Sequence, residues 1–171
     1  KALPDAHMED VWFQPVLNQD NSSGKVSVIM KVTAPEKQNV DARFVLTDRE
    51  GTVITEKCLQ LQGRDGIFTG TIHTDVQNIK LWDNHSPYLY HACVELIEEN
   101  GVMLEVVPYD IGFRRLEVID KVIYLNGKRL VITGVNRHEW NPKTGRCIGM
   151  QEMTADIDCM LRNNINAVRT C

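Results

Sequence analysis

Several classes of protein are excluded by what this chain lacks. No apolar run approaches the ~20 residues that cross a bilayer as a helix. No hydrophobic stretch follows Lys1-Ala2-Leu3-Pro4, so that opening does not read as a secretory signal. There is no basic excess. The 19 Lys and Arg are outweighed by 23 Asp and Glu, and a net charge of −4 offers no field to draw nucleic acid or anionic lipid. The cysteines lack a pattern. Cys58, Cys93, Cys147, Cys159 and Cys171 are odd in number and widely scattered, which argues against a disulfide framework. No Cys-x-x-Cys pair is present to hold a structural zinc. The expectation is reduced, partly buried thiols in a cytoplasmic protein that binds neither nucleic acid nor membrane. Asn21-Ser22-Ser23 and Asn84-His85-Ser86 match the glycosylation sequon, which has no meaning in a reducing compartment. A starting methionine is also missing, which fits an excised segment.

What is present is enough for one ordinary domain plus something smaller in 171 residues. From about Val11 to Val118 the chain reads as short strands. Val26, Val28, Met30 and Val32 alternate with Lys25, Ser27, Ile29 and Lys31. Val40, Ala42, Phe44 and Leu46 alternate with Asp41, Arg43, Val45 and Thr47. Period-two patterning buries one face of a strand and wets the other. Asn21-Ser22-Ser23-Gly24, Asp48-Arg49-Glu50-Gly51 and Gly63-Arg64-Asp65-Gly66 supply turns through residues that tolerate positive φ. Asn100-Gly101 between Tyr90–Glu98 and Val102–Val107 is a hairpin signal. About seven strands in roughly 100 residues point to an all-β, immunoglobulin-like sandwich. Trp82 is read as a large apolar anchor closing one end of it, with a sugar platform as the alternative. Tyr90 is read as the corner tyrosine, its hydroxyl tied to nearby backbone.

The grammar changes after Ile119-Asp120. Val122-Ile123-Tyr124-Leu125 and Arg129-Leu130-Val131-Ile132 flank Asn126-Gly127 and should pair as a hairpin. A strand is expected over Val131 to Val135, then a polar loop from Asn136 to Gly149. A helix follows over about Glu152 to Asn163, where Met153, Ile157, Met160 and Leu161 form an amphipathic stripe. Asn163-Asn164 would stop it, and Ile165 to Arg169 is the next strand. Strand, loop, helix and strand make one βαβ unit, the repeating element of a parallel barrel. The fold class is therefore an immunoglobulin-like β-sandwich over residues 1–118, followed by an incomplete (β/α)8 barrel segment over residues 119–171.

His138 and Glu139 fall just past the first barrel strand, and Arg169 falls at the equivalent end of the second. In a (β/α)8 barrel that end carries the active site. Any loop can carry His-Glu, so spacing alone leaves site and packing readings open. Glu139 is a tempting carboxylate in that position. It is expected to accept hydrogen bonds from backbone donors instead. Asp156 and Asp158 belong to the helix, whose exposed face should simply be solvated.

The run Gly134-Val135-Asn136-Arg137-His138-Glu139, with Asn164-Ile165-Asn166-Ala167-Val168-Arg169-Thr170 and Gly112-Phe113-Arg114, resembles the signature of the family 2 glycoside hydrolases. The stretch from Leu125-Asn126-Gly127-Lys128-Arg129-Leu130 to Arg169 is most similar to their β-galactosidase branch. Trp140-Asn141-Pro142 and the Thr170-Cys171 ending are most similar to its large-subunit type from lactic acid bacteria. The resemblance implies a retaining enzyme that hydrolyses terminal β-D-galactosides such as lactose. It implies that His138 binds the sugar and that Arg169 supports the nucleophilic glutamate. It also implies that no catalytic residue or metal ligand lies in this chain. The catalytic glutamates, a further sugar-binding histidine, the later aromatic sugar platforms and any magnesium ligands of the full-length enzymes would lie past Cys171. The chain alone is therefore expected to be inactive and to self-associate through unfinished barrel surface, and the parent to be oligomeric. Two alternatives stand beside this reading. One is a non-catalytic sandwich module binding carbohydrate or protein. The other is a family 2 β-glucuronidase or β-mannosidase, against which the loop from Trp140 to Cys147 favours galactose.

Overall fold

The computed structural model describes residues 4–35 and 38–170. Lys1-Ala2-Leu3 and Cys171, both used in the sequence reading, lie outside the described residues. The chain divides into two compact units, residues 1–116 and 117–171.

The first unit is a sandwich of two four-stranded antiparallel sheets. Its strands are β1 (His7–Leu17), β2 (Ser23–Thr33), β3 (Val40–Thr47), β4 (Val53–Gln60), β5 (Gln62–Arg64), β6 (Ile67–Gln77), β7 (Tyr90–Glu98) and β8 (Met103–Ile111). The sheet orders are β1-β2-β6-β5 and β4-β3-β7-β8, the arrangement of an immunoglobulin-like domain. The alternation read from the sequence is what closes it. Val26, Val28, Met30 and Val32 of β2 meet Val40, Ala42, Phe44 and Leu46 of β3 in one buried cluster with Val94 and Leu96 of β7. Each such side chain contributes about 1.5–3 kcal/mol relative to exposure. Pro15 and Pro108 sit in β1 and β8, the outer strands, where a missing N–H breaks no ladder. At that side Phe13 and Tyr109 stack with ring centroids 5.3 Å apart.

The sandwich has one more strand than the sequence reading anticipates. Asp65 (φ 56°) and Gly66 (φ 79°) alone form the turn, and Arg64 already pairs with Ile67. Gly63 and Arg64 are therefore strand, not turn. Ser23 and Gly24 likewise open β2, because the Asp20 carboxylate accepts from the Ser22 and Ser23 N–H groups (3.0 and 3.1 Å) and from the Ser23 hydroxyl (2.8 Å). Those three bonds, the Ser22 N–H bond foremost, hold the Asp20 carboxyl down at about 2.

Tyr90, the first residue of β7, is the corner tyrosine. Its hydroxyl accepts the Lys80 backbone N–H at 2.8 Å, and its ring lies edge-on to Phe113 (5.5 Å) and Tyr88 (5.0 Å). Burial pushes the Tyr90 phenol above its usual value. The Trp82 backbone N–H donates to the Phe113 carbonyl (3.0 Å). Gly112 lies so close that an added Cβ would stand 3.0 Å from the indole, and the Arg114 guanidinium lies over the ring at 4.6 Å. Contacts of this kind favour the anchor over the open sugar platform.

The second unit holds β9 (Leu116–Ile119), β10 (Val122–Leu125) and β11 (Lys128–Arg129) in a three-stranded sheet. Asn126 (φ 51°) and Gly127 (φ 80°) make the two-residue turn, with Leu125 opposite Lys128. Then come β12 (Gly134–Arg137), α1 (Met150–Arg162) and β13 (Ala167–Thr170), with β12 and β13 parallel. All three elements are displaced from the expected bounds. The strand expected over Val131 to Val135 starts at Gly134, because the Asn166 side chain holds the Val131 carbonyl and the Thr133 N–H (both 2.8 Å) in an irregular segment. The helix begins at Met150, because the Glu152 carboxylate takes the Gly149 N–H (2.9 Å) and caps it there. Asn164, at φ 55°, ends the helix as expected and delays β13 to Ala167.

The cysteine expectation needs correcting. Cys58, Cys93, Cys147 and Cys159 are free thiols, but only Cys93 is partly buried, and that burial raises its pKa. Among the described residues no helix is long and apolar enough to cross a membrane.

Candidate functional site

The parallel pair β12–β13 sets the geometry of the candidate site. Its register places Gly134 opposite Ala167, Val135 opposite Val168, Asn136 opposite Arg169 and Arg137 opposite Thr170. Neighbours in register share a face of the sheet and successive residues alternate. The small pair at the start fits this, since a Cβ on Gly134 would stand 3.5 Å from that of Ala167. Arg137 takes the other face, where its Nε donates to Asp156 of α1 at 2.9 Å. Asn136 and Arg169 therefore stand side by side on the face away from α1, the interior face of a parallel barrel.

His138 is the first residue past β12 and is exposed. It lines a hollow of about 560 Å3 with Glu139, Trp140 and Arg146. Arg169 lines a separate shallow hollow of about 280 Å3 with Asn136, Val135 and Val168. The two residues singled out from the sequence thus lie on neighbouring strands, two register steps apart, and the structure does not bring them into one cavity. Glu139 is exposed and accepts no backbone hydrogen bond among the described residues, so the supporting role expected of it is not found. Asp156 is not simply solvated, because it holds Arg137. That ion pair and the Asn166 clamp escape a reading by periodicity, since each joins residues 19 or more apart. Their one signal is the polar residue inside an otherwise apolar strand motif.

No three His, Cys, Asp or Glu side chains converge among the described residues. What the residues offer is a strand end followed by an imidazole and an indole, and a guanidinium on the next strand. These are groups that grip hydroxyls, aromatic-facing C–H surfaces and carboxylates.

In sequence order a β-sandwich is followed by one βαβ element with polar groups at its strand ends. The family model described as "Glycosyl hydrolases family 2" matches residues 6–114, and the one described as "Glycosyl hydrolases family 2, TIM barrel domain" matches residues 116–171. The chain belongs to the family 2 glycosyl hydrolases. It is 43% identical, over 99% of its length, to a protein named Beta-galactosidase large subunit from Lactobacillus acidophilus, covering 26% of that protein. It is 44% identical to the protein of the same name from Leuconostoc lactis, again over 99% of this chain and 26% of the relative. To the Beta-galactosidase of Streptococcus thermophilus it is 37% identical, covering 99% of this chain and 16% of the relative. The chain thus spans about a quarter or less of the curated relatives it matches. Among solved structures, a β-glucuronidase from Parabacteroides merdae superposes with a TM-score of 0.80 at 23% identity, over 98% of this chain and 21% of that one. That likeness speaks to the fold.

Proposed function

We propose that the chain is part of a retaining β-galactosidase that hydrolyses terminal β-D-galactosides such as lactose. The observation that carries this is the 43% identity to a Beta-galactosidase large subunit across 99% of the chain. The register of β12 and β13 agrees with it, putting Arg169 on an interior barrel face and His138 at the strand end. In this reading His138 donates to galactose hydroxyls, and those bonds tighten as the ring flattens toward an oxocarbenium ion. The Arg169 guanidinium keeps a glutamate nucleophile ionised and aimed. The glutamate attacks the anomeric carbon while a second carboxylic acid protonates the departing oxygen, and water then releases galactose. In this reading both carboxyls come from parts of the complete protein outside this chain.

The test is a substrate comparison in the complete enzyme. It should turn over an aryl β-galactoside and leave the matching β-glucuronide and β-mannoside nearly untouched. His138→Ala should lower kcat/KM on the galactoside by roughly 100-fold. The 171-residue chain alone should give no turnover. A glucuronide preference, or measurable hydrolysis by the chain alone, would overturn the reading.

Self-association of the isolated chain belongs to the same proposal. Val131, Ile132, Leu161 and Met150 are exposed in the second unit, which supports it. A monomer by light scattering at high concentration contradicts it.

A further inference from the structure

Resting on the galactosidase reading above, we propose that Asp156 is a positioning residue for His138. Through Arg137 it ties the end of β12 to α1, and so fixes the point from which the sugar-binding imidazole departs.

β12 is a four-residue strand whose one sheet neighbour is β13. Its start is clamped, because the Thr133 N–H just ahead of it donates to the Asn166 side chain at 2.8 Å. At its far end Arg137 opposite Thr170 is the last pair of the register, and no ladder continues past it. There a side chain takes over. The Arg137 Nε donates to the Asp156 carboxylate at 2.9 Å. The Arg137 side chain is only 11% exposed, and that of Asp156 is 50% exposed. A guanidinium enclosed to that degree has lost most of its water and depends on its carboxylate partner. The Lys25–Asp75 pair of the sandwich is a contrast, at 3.9 Å with both side chains mostly in solvent, where an ion pair contributes little.

The helix presents that carboxylate at a defined place. The Glu152 cap at Gly149 sets where α1 begins. Asp156 lies one turn after Met153 and one turn before Met160, both half-buried. Asp158, two positions on, is off that line. On the strand side, His138 follows Arg137 directly, and the chain turns at once, with the Trp140 N–H donating to the His138 carbonyl at 2.9 Å. His138 therefore stands between an anchored residue and a tight turn. A shift of about 1 Å in a group that holds the reacting sugar costs rate out of proportion to its size.

The experiment uses the complete enzyme and an aryl β-galactoside. Asp156→Ala should lower kcat/KM about tenfold, mainly in kcat, because the His138 bonds tighten as the ring flattens. Asp156→Asn, which keeps the shape and one acceptor oxygen, should recover most of that loss. Asp158→Asn on the same helix should stay within about twofold of the parent. The deciding readout is the combination with His138→Ala. In that background Asp156→Ala should cost less than about twofold further, since its effect passes through the imidazole. Arg137→Lys, which keeps the charge without the Nε donor, should show the same dependence on His138. An ion pair that merely supports the fold would lower activity by the same factor with or without the imidazole. Additive losses of that kind, or an Asp156→Ala enzyme as active as the parent, overturn the assignment and leave the galactosidase reading standing. An unsubstituted enzyme inactive on the galactoside sinks that reading and this assignment with it.

Discussion

The two units use the same alphabet of Val, Ile, Leu and Met and reach opposite outcomes. In the sandwich, Val26, Val28, Val32, Val40, Phe44, Leu46, Val94 and Leu96 are fully buried. In the second unit Leu125 is the one buried hydrophobic among the described residues, and α1 buries nothing at all. Both units carry apolar patterning, for α1 has an amphipathic stripe and β12–β13 pair Gly134 with Ala167 and Val135 with Val168. The difference is closure. Two four-stranded sheets cover each other, whereas one parallel pair and one helix have nothing to enclose. Amphipathic pattern specifies which face seeks cover, and topology decides whether cover is found within the same stretch of chain.

Substitutions can break or sharpen that contrast. Phe44→Ala, at the centre of the sandwich, should cost about 3–5 kcal/mol in urea unfolding. Tyr90→Phe should cost about 1 kcal/mol, because the Lys80 N–H loses its acceptor beside a buried ring. Unchanged stability would show that the corner is packing alone. Ile157→Ala on the exposed stripe of α1 should shift the isolated chain by no more than about 0.5 kcal/mol. A loss at Ile157 approaching that at Phe44 would mean that the second unit has a closed core after all.

Legibility followed the same divide. The period-two runs of β2 and β3 were readable because sheet burial is a local pattern, and so were the hairpins at Asn100-Gly101 and Asn126-Gly127, because their turns are local too. Element ends were less readable. Val131 and Ile132 have strand composition, but a side chain 35 residues away from Val131 takes its carbonyl and keeps the segment irregular. Arg137 with Asp156 is the same kind of case. For the candidate site, motif resemblance pointed to His138 and Arg169. Their separation into two hollows depends on loop geometry between residues 138 and 149, which no periodicity encodes.

Asn166 also has a consequence for fidelity. Its N–H, amide nitrogen and amide oxygen all engage residues 131–133, just ahead of β12. A parallel pair joined through a helix has no tight turn to count residues for it. A slip by one residue would turn Arg169 toward α1 and Val168 to the interior. One carboxamide thus acts as an indexing pin. It sets which of two adjacent side chains, one cationic and one aliphatic, stands on the face away from α1.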